Sequence, residues 1–135
     1  MRENLPQLFA QAASDLGICL DEKQVVLFIH YFREITAWNE KINLLSRRSS
    51  DDALLTNSID SLTALRSITR QDGALLDLGS GGGFPGIPLK IALPELKVSL
   101  LESSRKKTSF LKHIIRALPL LETMVIHDRV ENLLG

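Results

Sequence analysis

Residues Leu75-Leu76-Asp77-Leu78-Gly79-Ser80-Gly81-Gly82-Gly83-Phe84-Pro85-Gly86-Ile87-Pro88 restrict the fold more than any other stretch of this 135-residue chain. An apolar run that meets a glycine cluster suits a strand covered on both faces, as in a parallel sheet. Glycines at 79, 81, 82 and 83 permit positive φ and let a ligand approach the backbone without meeting a Cβ. Pro88 has its φ pre-set for a helix start, where its missing N–H costs nothing. Strand, glycine turn and helix in succession therefore predict a ligand held by backbone at the start of a helix.

The segments on either side of this turn differ in periodicity. Leu5, Leu8, Phe9, Ala12, Ala13 and Leu16 recur at helical spacing, and Gly17 is a C-terminal stop. Asp21 with Gln24 three residues later is a capping-box pattern. It opens an apolar stripe of Val25, Phe28, Phe32, Ile35, Trp38, Ile42 and Leu45, with Glu34, Glu40 and Lys41 elsewhere. Ser49-Ser50-Asp51-Asp52 signals another helix start, and Ala53, Leu54, Leu55, Ile59, Leu62 and Leu65 give one or two short helices before Asp72-Gly73.

Beyond Gly73, strand alternates with helix. Strands are expected over 74–78, 98–101 and 124–126, and helices over 87–93 and from Ser103-Ser104 through Phe110, Leu111, Ile114, Ile115 and Leu118. Alternation of this kind gives right-handed βαβ units and a parallel sheet. The expected fold is α/β, with an N-terminal helical cap over 1–72. A partial βαβαβ unit over 73–135 supplies strands 1–3 of a Rossmann-like sheet. In a doubly wound sheet of order 3-2-1-4-5 the ligand lies beside strand 1. Nothing in the sequence serves as strand 4, so strand 1 is expected as an open apolar edge, prone to self-association. A piece of a larger protein is the expected explanation, ahead of a sheet completed by another chain.

Three ligand classes use a glycine-rich turn after a first strand. A nucleoside-triphosphate loop ends in Gly-Lys-Ser/Thr, whereas here the sequence runs Gly83-Phe84-Pro85-Gly86. A dinucleotide fingerprint can be framed on Gly81, Gly83 and Gly86, but that frame begins three residues past the strand and encloses Pro85. Framed on Gly79, it fails at Phe84. The third class, S-adenosyl-L-methionine-dependent class I methyltransferases, resembles the sequence best. Asp77-Leu78-Gly79-Ser80-Gly81-Gly82-Gly83 fits their acid, apolar, Gly-x-Gly-x-Gly motif. Their ligand is cationic, so a carboxylate at the strand end is welcome there and would repel a pyrophosphate. Glu102 closes the second strand about 20 residues on, the offset of an acid that accepts from ribose hydroxyls.

Charge and composition exclude rather than select. The 16 basic and 16 acidic residues cancel, so net charge gives no argument for a nucleic-acid partner. The 44% hydrophobic content supports a packed core. No run has membrane-spanning length. The start Met1-Arg2-Glu3-Asn4 lacks a signal-peptide core. One cysteine, Cys19 between Ile18 and Leu20, suits a reducing cytoplasm and reads as a small buried residue. His30, His113 and His127 do not cluster, so no metal site is expected. His30 reads as a core histidine and His113, beside Lys112 and Arg116, as part of a solvated helix face.

The resemblance then narrows. Residues 75–89, ending Gly-Ile-Pro-Leu, are similar to the signature of the glucose-inhibited division protein B family. Trp38-Asn39-Glu40-Lys41-Ile42-Asn43-Leu44, Asp60-Ser61-Leu62, Leu101-Glu102-Ser103, Lys106-Lys107, Phe110-Leu111 and Arg129-Val130-Glu131 also match its pattern. The resemblance implies a methyltransferase acting on N7 of a guanine in 16S rRNA of the small ribosomal subunit, with S-adenosyl-L-methionine as cofactor. It implies a cofactor site of Asp77 at the methionine end, Gly79, Gly81, Gly83 and Phe84 in the turn, Glu102 at the ribose, and Val130 and Glu131 at the adenine. Asn57 stands where the family usually has histidine, and the family's later strands, with a basic cofactor-site residue, have no counterpart.

Guanine N7 offers a lone pair and has no proton to remove, so in-line alignment supplies the catalysis and no general base is required. No catalytic side chain is singled out. Arg47, Arg48, Arg105, Lys106 and Lys107 are the candidate RNA contacts, against the plainer reading of a solvated charged surface. Two other functions stand beside the methyltransferase: a catalytically incompetent cofactor-binding or interaction fragment, and a class I methyltransferase with another substrate.

Overall fold

Helix α1 (Leu5–Asp15) stops where the sequence places a glycine. Gly17 has φ +77°. Its N–H donates to Ser14 O at 2.9 Å, and the next N–H, from Ile18, donates to Ala13 O at 3.0 Å. These are the paired bonds of a Schellman stop. Helix α2 (Glu22–Asn39) opens with the expected capping box. Gln24 N–H donates to Asp21 Oδ1 at 2.8 Å, and Asp21 N–H donates to Gln24 Oε1 at 2.9 Å. The structure, a computed structural model, describes residues 1–45 and 50–134. Arg47 and Arg48 therefore lie outside the described residues.

The apolar stripe of α2 runs on to Leu45 in the sequence, but the helix ends six residues earlier. Asn39 is the reason. Its side-chain oxygen accepts from the N–H groups of Leu44 and Leu45 at 2.9 and 3.1 Å, which folds residues 40–45 into a turn. Helix α3 (Ser50–Thr63) follows and tightens into a 3-10 segment at Ala64–Ser67.

The second half contains β1 (Ala74–Leu78), α4 (Gly86–Ala92), β2 (Lys97–Glu102), α5 (Arg105–Ala117), β3 (Thr123–His127) and a short α6 (Val130–Leu134). The strands are parallel in the order β1-β2-β3, with Asp77 opposite Leu100 and Leu100 opposite Val125. Helix α6 was not expected. Asp128 starts it by accepting from Arg129 N–H at 2.8 Å and the Asn132 amide at 2.6 Å.

One expectation about β1 is corrected. Its burial alternates, with Asp77 buried and Leu76 and Leu78 about half exposed, at 49% and 55%. The two crossover helices lie on one face of the sheet, against Val98 and Leu100. Leu76, Leu78 and, on β3, Met124 stand exposed on the other. The strand is covered on one face, and β1 is one edge of the described sheet, with β3 the other.

The core runs across residue 72 without a break. Phe9, Phe28 and Phe32 pack ring on ring, with centroids 4.6 and 5.2 Å from Phe9. The same buried cluster continues through Ile87, Leu89, Leu100, Phe110 and Ile114. A polar clamp joins α2 to α5: His113 Nε2 lies 2.7 Å from Glu34 Oε2, and the Trp38 ring lies against both His113 and Phe110. Three side chains differ from the sequence reading. His113 is half-buried in this clamp, His30 is an exposed partner of Glu34, and Cys19 is exposed in the linker that follows the stop at Gly17.

Candidate cofactor site

Asp77, the penultimate residue of β1, lies on the strand's buried face, and its carboxylate points beneath the glycine turn. There Oδ2 accepts from Gly86 N–H, the first residue of α4, at 2.9 Å. A Cβ at Gly86 would meet Leu100 Cδ2 and lie 2.9 Å from the same carboxylate oxygen. Glycine is therefore required by close approach. Burial pushes the Asp77 carboxyl up from its ordinary 3.8; Gly86 N–H and the Ser80 hydroxyl oppose this, and the Glu102 charge adds to it.

Glu102 ends β2 and bridges two loops. Its Oε1 accepts from Gly81 N–H at 2.8 Å and its Oε2 from Ser104 N–H at 2.8 Å. Ser104 in turn caps α5, accepting from Lys107 N–H at 3.3 Å. One carboxylate thus fixes the turn after β1 to the turn after β2. On the opposite side, Tyr31 of α2 donates its hydroxyl to Gly82 O at 2.6 Å. Burial, and then the Asp77 charge, raise this phenol well above its usual 10.0, which keeps it a donor.

The backbone donors of the turn other than Gly82 N–H are engaged within the protein. Gly79 and Ser80 donate to Leu101 O at 2.9 and 3.1 Å, Gly83 and Phe84 to Ser80 O at 2.8 and 3.2 Å, and Ile87 to Gly83 O at 2.7 Å. Gly81 and Gly86 donate to the two carboxylates described above. A phosphate cradle presents unpaired N–H groups to its anion. This turn instead surrounds itself with carboxylates, and the start of α4 is occupied by Asp77. The expectation of a ligand on that helix start is corrected accordingly.

A cleft of about 410 Å³ opens beside the turn, lined by Leu78, Gly79, Leu101, Ser103, Asp128, Arg129, Val130 and Glu131. Leu78, Leu101 and Val130 supply its apolar lining, and Asp128 and Glu131 its acidic lining. The Asn132 amide and then Arg129 N–H hold the Asp128 carboxyl below its usual range. Gly79, Val130 and Glu131, named from the sequence, meet in this cleft. Glu102 is buried beneath the turn, Asp77 and Gly83 lie behind it, and half-buried Phe84 faces the cap, 5.6 Å from the Tyr31 ring. Asn57 is half-buried in α3. Among the described residues no group of three or more His, Cys, Asp or Glu is placed to hold a metal.

Sequence reasoning missed Leu78, Leu101 and Ser103 as cleft walls, although each adjoins a residue that it named. It also missed Tyr31, whose place in an apolar helix gave no sign that its hydroxyl reaches the turn. Arg105 and Lys106 are exposed on the first turn of α5 and Lys107 is half-buried there. Cations at a helix N-terminus oppose the helix dipole, so their position is not set by helix stability.

The site has a consequence for pH. The folded Asp77 value lies above the unfolded one, so the stability it contributes is fully present below 3.8 and is lost as pH rises through the folded value. Asp77→Asn keeps an acceptor for Gly86 N–H and removes the titration. Its stability relative to the native chain should rise with pH, which urea unfolding near pH 4 and near pH 7 reads directly. An offset identical at both pH values would contradict the assignment.

A family model described as rRNA small subunit methyltransferase G, GidB, matches residues 24–134. The ribosomal RNA small subunit methyltransferase G of Syntrophus aciditrophicus is 48% identical over 129 residues, which is 95% of this chain and 54% of that protein. Its counterpart in Acetivibrio thermocellus is 40% identical over 128 residues, 95% of this chain and 53% of the relative. That of Dictyoglomus thermophilum is 37% identical over 134 residues, 98% and 56% respectively. The chain spans about half the length of these curated relatives. Similarity runs through the helical cap as well as the glycine turn, and the chain belongs to the rRNA small subunit methyltransferase G family.

Proposed function

We propose that this chain is the cofactor-binding portion of an S-adenosyl-L-methionine-dependent methyltransferase that acts on N7 of a guanine in 16S rRNA. The observation behind this reading is the double role of Glu102, buried below a glycine turn most of whose N–H groups are engaged, while its chain neighbours Leu101 and Ser103 line the adjoining cleft. A site whose N–H groups are mostly paired internally, with buried acids beneath it, suits a cationic nucleoside better than a phosphate. When bound, S-adenosyl-L-methionine would supply an electrophilic methyl group. The residues here would hold it: Gly79, Val130 and Glu131 around the nucleoside, Glu102 below the ribose, and Gly81, Gly83 and Phe84 along the turn. Asp77 acts from beneath, setting the turn's path and adding negative potential toward the methionine end.

No residue needs to remove a proton, because the N7 lone pair is already free. The protein's task is to orient and exclude water. Arg105, Lys106 and Lys107 stand at the carboxyl end of the sheet, on the helix that Glu102 anchors through Ser104. RNA phosphates would offset the unfavourable placement of these cations at a helix start. The partner is then the small ribosomal subunit or its rRNA, in the cytoplasm; no described helix is long and apolar enough to cross a membrane.

A second reading is favoured by the exposed Leu76 and Leu78 on the edge strand. By it, the 135 residues bind cofactor without turnover and associate through that edge. Titrating S-adenosyl-L-methionine against the chain, with methyl transfer assayed on unmodified small subunits, separates the two. Binding with transfer supports the first, binding without transfer the second, and no binding contradicts both.

Two substitutions test the parts. Glu102→Gln places an amide N–H against a backbone donor, so S-adenosyl-L-methionine affinity should fall at least about tenfold; an unchanged affinity would remove Glu102 from the site. Replacing Lys106 and Lys107 with alanine should reduce the slope of log affinity for rRNA against log salt by about one to two. If the slope does not move, these residues are only a solvated face.

A further inference from the structure

We infer that Tyr31, on the cap helix α2, is a positioning residue for the cofactor: its hydroxyl sets the conformation of the glycine turn through Gly82. This rests on the reading of the turn as the S-adenosyl-L-methionine site. Tyr31 is fully buried, with the Phe32 and Phe84 rings beside it. Its neighbours show that a phenyl ring serves this core, so the hydroxyl is the feature that needs a reason. Burying a hydroxyl is costly unless it is hydrogen-bonded, and this one bonds across 51 residues of sequence to Gly82 O at 2.6 Å.

The fit around that bond is tight. A Cβ at Gly83 would lie 2.9 Å from Tyr31 Oη and 2.7 Å from Ile87 Cγ1, and Gly83 has φ +98°. Phe84 packs on the Tyr31 ring on the far side. The cap makes a second approach nearby, where a Cβ at Gly82 would lie 3.2 Å from Leu44 O. That carbonyl is placed by the Asn39 turn. Asp77 and Glu102 hold the turn from the sheet side, at Gly86 and Gly81. Tyr31 holds the stretch between them from the cap side. The helical cap is thereby part of the cofactor site, without touching the cofactor.

Tyr31→Phe keeps the ring and removes only the bond. Calorimetric titration of S-adenosyl-L-methionine should show an affinity loss of about three- to tenfold. Amide exchange at Gly83 and Phe84 should quicken in the ligand-free chain by a similar factor. Phe9→Leu is the control: it weakens the cap core away from the turn, so it lowers the melting temperature without moving affinity or exchange at Gly83. Affinity and exchange unchanged in Tyr31→Phe would overturn the inference. So would affinity falling in step with melting temperature in both variants. If the native chain fails to bind S-adenosyl-L-methionine, the site reading fails instead. Exchange then decides the Tyr31 link alone: quickened exchange at Gly83 in Tyr31→Phe upholds it, and unchanged exchange refutes it.

Discussion

A carboxylate buried under a turn of glycines is the constraint on which the rest of this structure depends. Asp77 stands on the inward face of β1 because strand side chains alternate, and its partner is the first N–H of α4. That single bond directs the chain from strand to helix. The lack of a Cβ at Gly86 makes room for it. Burial disfavours the charged carboxyl, as its raised pKa indicates. Stability alone would favour a neutral acceptor at this place. An ionisable group there is the kind of local conflict that accompanies a functional site.

Glu102 extends the constraint sideways. By accepting from both Gly81 and Ser104 it ties the two loops at the carboxyl end of the sheet into one body. The site is therefore built from three elements that are far apart in sequence: the end of β1, the end of β2 and the start of α6. The two carboxylates that shape it, Asp77 and Glu102, come from the carboxyl ends of strands. The sheet itself is finished on one side only. Both crossover helices cover the face bearing Val98 and Leu100, and the face bearing Leu76 and Leu78 stays exposed beside the cleft.

Much of this was legible in the sequence. The capping box at Asp21 and Gln24, the stop at Gly17, the three parallel strands and the glycine turn follow from local chemistry that tertiary contacts did not override. The end of α2 was not legible, because hydrophobic periodicity continues through Ile42 and Leu45 while the Asn39 side chain captures the backbone. The fate of Asp77 was hidden for another reason. Sequence marks an acid at a strand end, but only the register of β1 tells whether it faces ligand or core. Tyr31, His113 and Cys19 share that difficulty: their surroundings come from elements distant in the chain.

On the proposed function, a turn with most of its N–H groups paired internally and two buried acids beneath it is a cradle for a cationic nucleoside and not for phosphate. Calorimetric titration of the chain with S-adenosyl-L-methionine and, separately, with ADP tests it most directly. Saturable binding of S-adenosyl-L-methionine is expected, with ADP bound at least about tenfold more weakly, a gap of about 1.4 kcal/mol or more. ADP binding as tightly as S-adenosyl-L-methionine would contradict it.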